Sequence, residues 1–154
     1  MYSLNLPAYP LRVKKVKDRQ MIFDNFRKKF VALTPEEWVR QHFLNWMSRS
    51  KGYPSGLIAV EVPLKYNNLQ KRADAVVYDK EGNPLMIVEC KAPTVPVSQT
   101  IVEQIAMYNF AFGVSYVALT NGLQQYCFKR DETLKQWVCL DGMPSYNELE
   151  TFAA

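Results

Sequence analysis

Asp74, Glu89 and Lys91 are the charged groups that interrupt an otherwise apolar stretch, Arg72 to Lys91, RADAVVYDKEGNPLMIVECK. Val76, Val77 and Tyr78 read as one strand, Glu81-Gly82-Asn83-Pro84 as turn residues, and Leu85 to Val88 as the return strand. Side chains alternate along a strand, so Glu89 and Lys91 share one face and Cys90 takes the other. Acids and lysines are rarely buried unless paired or bound to an ion. A divalent cation held by Asp74 and Glu89, beside the Lys91 ammonium, would compensate them. Oxygen ligands of this kind match magnesium, or manganese. Such a metal polarises a phosphate and lowers the pKa of a bound water, so the constellation suits phosphodiester hydrolysis. Lys91 would position the nucleophilic water or stabilise charge in the transition state, and the Cys90 backbone carbonyl is a further candidate ligand.

These residues need a scaffold. The 154 residues, 48% hydrophobic and 13% aromatic, fit one domain with one core rather than a disordered chain. No apolar run approaches the roughly 20 residues that span a bilayer, and MYSLNLPAYP lacks the pattern of a signal peptide. Cys90, Cys127 and Cys139 show no CxxC spacing, which points to free thiols in a reducing cytoplasm. With His42 the only histidine, and read as a helix-surface or core-edge residue, zinc is disfavoured. The net charge of +4 is unevenly spread: residues 12–29 carry eight basic residues against Asp18 and Asp24. That basic edge, with Lys14, Lys15 and Lys17 at its centre, suits a polyanion such as nucleic acid, or is simply a solvated face.

In chain order, residues 1–10 read as an extended arm, LRVKKVKD as a charged edge strand, and Met21 to Asp24 as its hairpin partner, with Phe26, Phe30, Val31 and Leu33 leading into a helix. Thr34 is a good N-cap, Pro35 fits the first turn, and Glu37 completes a capping box. Val39, Phe43 and Trp46 or Met47 form the buried stripe of that helix, which runs to about Arg49. Leu57 to Leu64 is a further strand. Beyond the central hairpin come a second helix, Gln99 to Phe112, strands over Ser115–Thr120 and Leu123–Lys129 around Asn121-Gly122, an edge strand at Trp137–Leu140 and a short helix from Tyr146 to Phe152. The fold class is therefore α/β: a central mixed β-sheet flanked by helices in a single domain, with the core over about 11–130 and a C-terminal extension over 131–154.

Asp74 followed by Glu89-x-Lys91 resembles the PD-(D/E)xK nuclease superfamily, and Gln104-x-x-x-Tyr108 resembles the QxxxY motif of its RecB-like branch. PEEWVRQ, RADAVVYD, VECKAP, QIAMYN and ALTNG, spread over roughly Arg12 to Arg130, are similar to the N-terminal nuclease domain of type I restriction enzyme R subunits. The resemblance implies a restriction-endonuclease-like core and magnesium-dependent DNA endonuclease activity. It also implies a first-helix glutamate at the metal, with Glu37 the candidate and Glu36 the alternative. Gln104 and Tyr108 would contact the DNA backbone or orient the lysine, and Arg72 would contact phosphate or pair with an acid. Ala73 stands where the motif has proline. No GxxxxGK[ST] loop occurs, so the expected setting is a standalone nuclease, as a single chain or a homo-oligomer, or a subunit working with a motor or a methyltransferase and specificity partner. A non-catalytic DNA-binding or assembly module, and a branched-DNA repair nuclease, are the other readings.

Overall fold

The computed structural model describes residues 2–110 and 112–149, with the side chains at 108 and 110 also outside that description. The chain begins with a small meander of β1 (Val13–Val16), β2 (Arg19–Asp24) and β3 (Lys29–Ala32), paired antiparallel in that order. Lys17 and Asp18 make the β1–β2 turn at φ 48° and 64°, the doubly left-handed conformation whose twist matches the flanking strands. β3 corrects the sequence reading, which runs Phe30 and Val31 directly into the helix. A four-residue KFVA segment has too little periodicity to identify a strand; pairing with β2 decides it.

α1 (Pro35–Ser50) starts where expected, with Thr34 Oγ1 accepting from the Glu37 N–H at 3.0 Å. Only half of the expected capping box is present, because the Glu37 carboxylate turns to arginines instead. Val39, Phe43 and Met47 are fully buried against the main sheet. That sheet has six strands in spatial order: β4 (Ile58–Tyr66), β5 (Leu69–Tyr78), β6 (Pro84–Cys90), β7 (Tyr116–Thr120), β8 (Gln125–Asp131) and β9 (Gln136–Cys139). β6 and β7 are parallel and joined through α2 (Gln99–Phe110), while every other pair is antiparallel. Parallel neighbours need such a crossover.

α1 packs with Val88, Cys90 and Ala118, whereas Val102 of α2 packs with Leu119 and Phe128. Ala118 and Leu119 are consecutive, so the two helices cover opposite faces. The molecule is thus the α/β mixed sheet flanked by helices that the sequence implies, with the 3-stranded meander added. No described helix is long and apolar enough to cross a membrane. The arm at residues 2–10 is anchored: Asn5 N–H donates to the Gly122 carbonyl at 2.8 Å, and Leu4 and Leu6 pack against the α1 core. At the other end Tyr146–Glu148 forms a short 3-10 turn; the rest of the expected terminal helix, from residue 150, lies outside the described residues.

Candidate active site

Strand register sets the site. Val60 pairs with Ala75, and Ala75 with Val88. One step along these antiparallel strands, Glu61, Asp74 and Glu89 fall in one transverse row across β4, β5 and β6. Here the ladder is interrupted: Glu61 takes φ 54°, a left-handed conformation uncommon for a non-glycine residue and often found beside functional sites. Asp74 fills the gap on the other side, its Oδ2 accepting from the Cys90 N–H at 2.7 Å. In a strand, the carbonyl of a residue points to the same edge as its N–H, so the Cys90 carbonyl also faces β5. The Cys90 thiol is buried in the α1 core, which pushes its pKa well up and keeps it protonated.

Asp74 looks towards α1. Its Oδ1 lies 4.0 Å from Arg40 Nη1, and it lines a solvent-open cleft of about 600 Å³ together with Glu36, Glu37, Arg40, Arg27 and Glu61. Burial raises the Asp74 carboxyl, opposed by the Cys90 N–H and by the charges of Arg40, Lys91 and Lys71. Glu36 is raised by burial and then by Asp74, while Lys91 and Arg40 pull it down. Glu36, Asp74 and Lys91 therefore share one electrostatic neighbourhood. Glu37, the sequence candidate for the first-helix metal ligand, is placed differently. Its carboxylate accepts from Arg27 Nη2 at 2.7 Å, from Arg40 Nε and Gln41 Nε2 at 2.9 Å each, and from Arg40 Nη2. A carboxylate so filled is not available to a cation, and the first-helix acid open to the cleft is Glu36.

Glu89 looks the other way. Its Oε1 accepts from the Lys71 ammonium, which also donates to Asn109 Oδ1 on α2 at 2.8 Å. Burial draws Lys71 down to about 8, against the pull of Asp74 and with the push of Lys91; the hydrogen bond to Glu89 favours its charged form. The side chains of Glu89 and Lys91 do not line the cleft, although Ala92, next to Lys91, does. Arg72 is exposed and lies 3.6 Å from Glu61, the acid-pairing alternative. Gln104 is exposed on α2, away from its buried Val102–Ala106–Asn109 stripe. Tyr108 lies on α2, but its side chain is outside the described residues. Lys14, Lys15 and Lys17 are exposed on the meander, Lys14 Nζ lying 3.8 Å from the Phe30 ring centroid. The meander supplies Val31 and Ala32 to the cleft wall.

Lys71, Asn109, Arg40, Arg27 and Glu61 are site residues that motif spacing does not reveal. Lys71 sits 18 residues from its carboxylate and 38 from its amide partner. The only local signal is a charged residue, Glu61, inside an apolar strand. Among the described residues no three His, Cys, Asp or Glu side chains are gathered to hold a metal. Asp74 and Glu89 are opposite in register, but their carboxylates are engaged on different sides, Asp74 beside Arg40 of α1 and Glu89 by Lys71 next to α2, so the two are not gathered as a closed donor pair. Two carboxylates and a main-chain carbonyl are the donor types that suit magnesium, which keeps water ligands and takes phosphate oxygens, once Glu89 is released from Lys71.

A family model described as "Type I restriction enzyme R protein N terminus (HSDR_N)" matches residues 35–144. Among solved structures, the chain resembles a fragment of an inferred HsdR subunit of a type I restriction enzyme from Vibrio vulnificus YJ016. The TM-score is 0.52 at 23% identity, over 76% of this chain and 24% of that one. It is also similar to an inferred nuclease belonging to DUF820 from Anabaena variabilis ATCC 29413. There the TM-score is 0.47 at 12% identity, over 89% of this chain and 80% of that one. No curated protein matches. The first of these likenesses concerns the fold, and this chain spans about a quarter of that structure's length.

Proposed function

The chain belongs to the family of type I restriction enzyme R protein N termini, and from that premise we propose that it is a magnesium-dependent endodeoxyribonuclease of the PD-(D/E)xK type. The observation that carries the reading is the row of Asp74 and Glu89 on neighbouring strands, with the Cys90 N–H on Asp74 and the Lys91 charge felt at both Asp74 and Glu36. Asp74, Glu89 and the Cys90 carbonyl would hold the magnesium ion, or manganese in its place, with Glu36 the first-helix acid not committed to arginines. When bound, the metal supplies Lewis-acid polarisation of the phosphate and a water of lowered pKa.

The chain's own residues do the rest. The Cys90 N–H fixes the direction of the Asp74 carboxylate. Lys91 places a positive charge beside it, suited to positioning the attacking water or to meeting charge that develops on the phosphate. The Glu37–Arg40 pair holds a guanidinium at the cleft wall with Nη1 towards Asp74. The meander lysines Lys14, Lys15 and Lys17, with Arg72 and Gln104, would contact backbone phosphates at positions that carry no sequence information. DNA is the proposed substrate, and a motor or a methyltransferase and specificity subunit the proposed partner.

A second reading, a non-catalytic DNA-binding or assembly module, is favoured by one observation: Glu89 is engaged by Lys71, and neither Glu89 nor Lys91 lines the cleft. Plasmid cleavage separates the two. The nuclease reading expects nicking or linearisation that requires magnesium or manganese and falls by a factor of about 10²–10⁴ in Asp74→Asn, Glu89→Gln and Lys91→Ala. Cleavage that survives all three changes in folded protein, or DNA binding without cleavage under any divalent ion, would sink it.

A further inference from the structure

Lys71 belongs to no motif and has no role in the chemistry described above, yet its ammonium is hydrogen-bonded directly to a candidate metal ligand. Its side chain is 12% exposed and its ammonium donates to Glu89 Oε1 and to Asn109 Oδ1. Asn109 is fully buried, and its amide nitrogen is tied to the Ile105 carbonyl at 2.9 Å, which fixes the oxygen that Lys71 meets. Asp74 and Lys91 also act on this ammonium electrostatically. A compact cation thus holds one oxygen of a carboxylate that a divalent ion would need. An ammonium and a divalent cation on one carboxylate repel each other strongly in a partly buried site. An ammonium driven off Glu89 loses the carboxylate it is hydrogen-bonded to in a partly desolvated site, which is costly. A phosphodiester oxygen is a suitable new partner.

We infer that Lys71 is the resident counter-ion of Glu89, displaced by a divalent cation only when a phosphodiester arrives to accept the ammonium. The inference rests on the metal-nuclease reading given above. It makes cation binding and DNA binding mutually dependent, each strengthening the other by the same factor. The protein would then carry little metal until it is on DNA, because its own lysine competes for the site. Lys71 is a positioning residue: it acts through Glu89 and then on the phosphate.

The test is Mn²⁺ binding by electron paramagnetic resonance to the full chain, with and without a short phosphorothioate duplex, in wild type, Lys71→Met and Lys71→Gln. The glutamine variant removes the charge but keeps hydrogen-bonding capacity towards Glu89 and Asn109, so it guards against a methionine variant that fails to fold. In the absence of duplex, both variants should bind Mn²⁺ about tenfold or more tightly than wild type, and duplex should tighten Mn²⁺ in wild type by a factor about tenfold or more larger than in either variant. Equal Mn²⁺ affinity in wild type and a folded variant without duplex, or the same tightening by duplex in all three, would overturn the inference and leave the nuclease reading standing. Absence of Mn²⁺ binding in every protein, with and without duplex, would remove both.

Discussion

Glu37→Gln and Glu36→Gln are isosteric changes at adjacent residues of α1, and the structure assigns them opposite consequences. Glu37 is 6% exposed at the side chain and Arg40 9%. The carboxylate accepts from Arg27 Nη2, Arg40 Nε, Arg40 Nη2 and Gln41 Nε2. Glutamine offers one acceptor oxygen in place of two, turns an NH₂ donor towards the guanidiniums and removes the negative charge. Removing one partner of a buried ion pair costs about 3–5 kcal/mol. Arg27 keeps Asp24, and Arg40 keeps Glu61 at 3.6 Å and Asp74 at 4.0 Å, so the low end, about 3 kcal/mol, is expected. At roughly 2–4 °C per kcal/mol for a chain of this size, the midpoint should fall by about 6–12 °C. Glu36 is exposed, so Glu36→Gln should change stability by less than about 0.5 kcal/mol. It should nonetheless weaken Mn²⁺ binding by about tenfold, as loss of a supporting acid does. Urea or thermal unfolding and Mn²⁺ titration in the presence of duplex read the two effects. A stable Glu37→Gln that loses Mn²⁺, beside a Glu36→Gln that binds it normally, would refute the assignment.

Three further outcomes follow from the same geometry. Gly122→Ala should destabilise the protein by about 1–3 kcal/mol in urea unfolding, because Gly122 sits at φ +85° and its added Cβ would lie 2.6 Å from Leu4 Cδ2. The triple change Lys14→Gln, Lys15→Gln, Lys17→Gln should make the slope of log affinity against log salt shallower by up to about 2.7 in DNA-binding titrations, about 0.9 for each phosphate no longer neutralised. Because burial raises Asp74 and Glu36, both hold their protons to higher pH than ordinary carboxyls. Metal must displace those protons, so Mn²⁺ affinity should fall as pH is lowered, by about tenfold per unit for each proton released. That fall should begin above the usual 3.8 of aspartate and 4.5 of glutamate.

Local chemistry writes much of the fold into the sequence. The Thr34-Pro35 start of α1, the Asn121-Gly122 turn and the apolar β6 run announce themselves, because capping, positive φ and burial on both faces each depend on residues close in sequence. The meander's third strand does not, since Lys29–Ala32 becomes a strand only by pairing with β2. β5 is longer than its apolar residues suggest for a related reason: Leu69 to Asp74 is mostly polar, and only the ladder from Tyr66–Leu69 to Val60–Ala75 extends it. At the site, the register that sets Asp74 opposite Glu89 is legible from the hairpin; that their carboxylates take partners on different sides, Arg40 for one and Lys71 for the other, is not. Which first-helix acid faces the cleft is not. That depends on Arg27, which reaches Glu37 from the β2–β3 turn and commits that acid to structure. Lys71 and Asn109 are invisible for the same reason: their partnership with Glu89 exists only after α2 docks on the sheet.

Whether Asp74, Glu89 and the Cys90 carbonyl surround one divalent cation is open to direct observation. Anomalous diffraction from crystals grown with Mn²⁺ and a short phosphorothioate duplex should show a single strong peak within about 2.0–2.6 Å of the Asp74 and Glu89 carboxylates, with the Lys71 ammonium moved from Glu89 to a phosphate oxygen. Duplex bound in the cleft with no peak between those acids, and Lys71 still seated on Glu89, would contradict the metal-nuclease assignment.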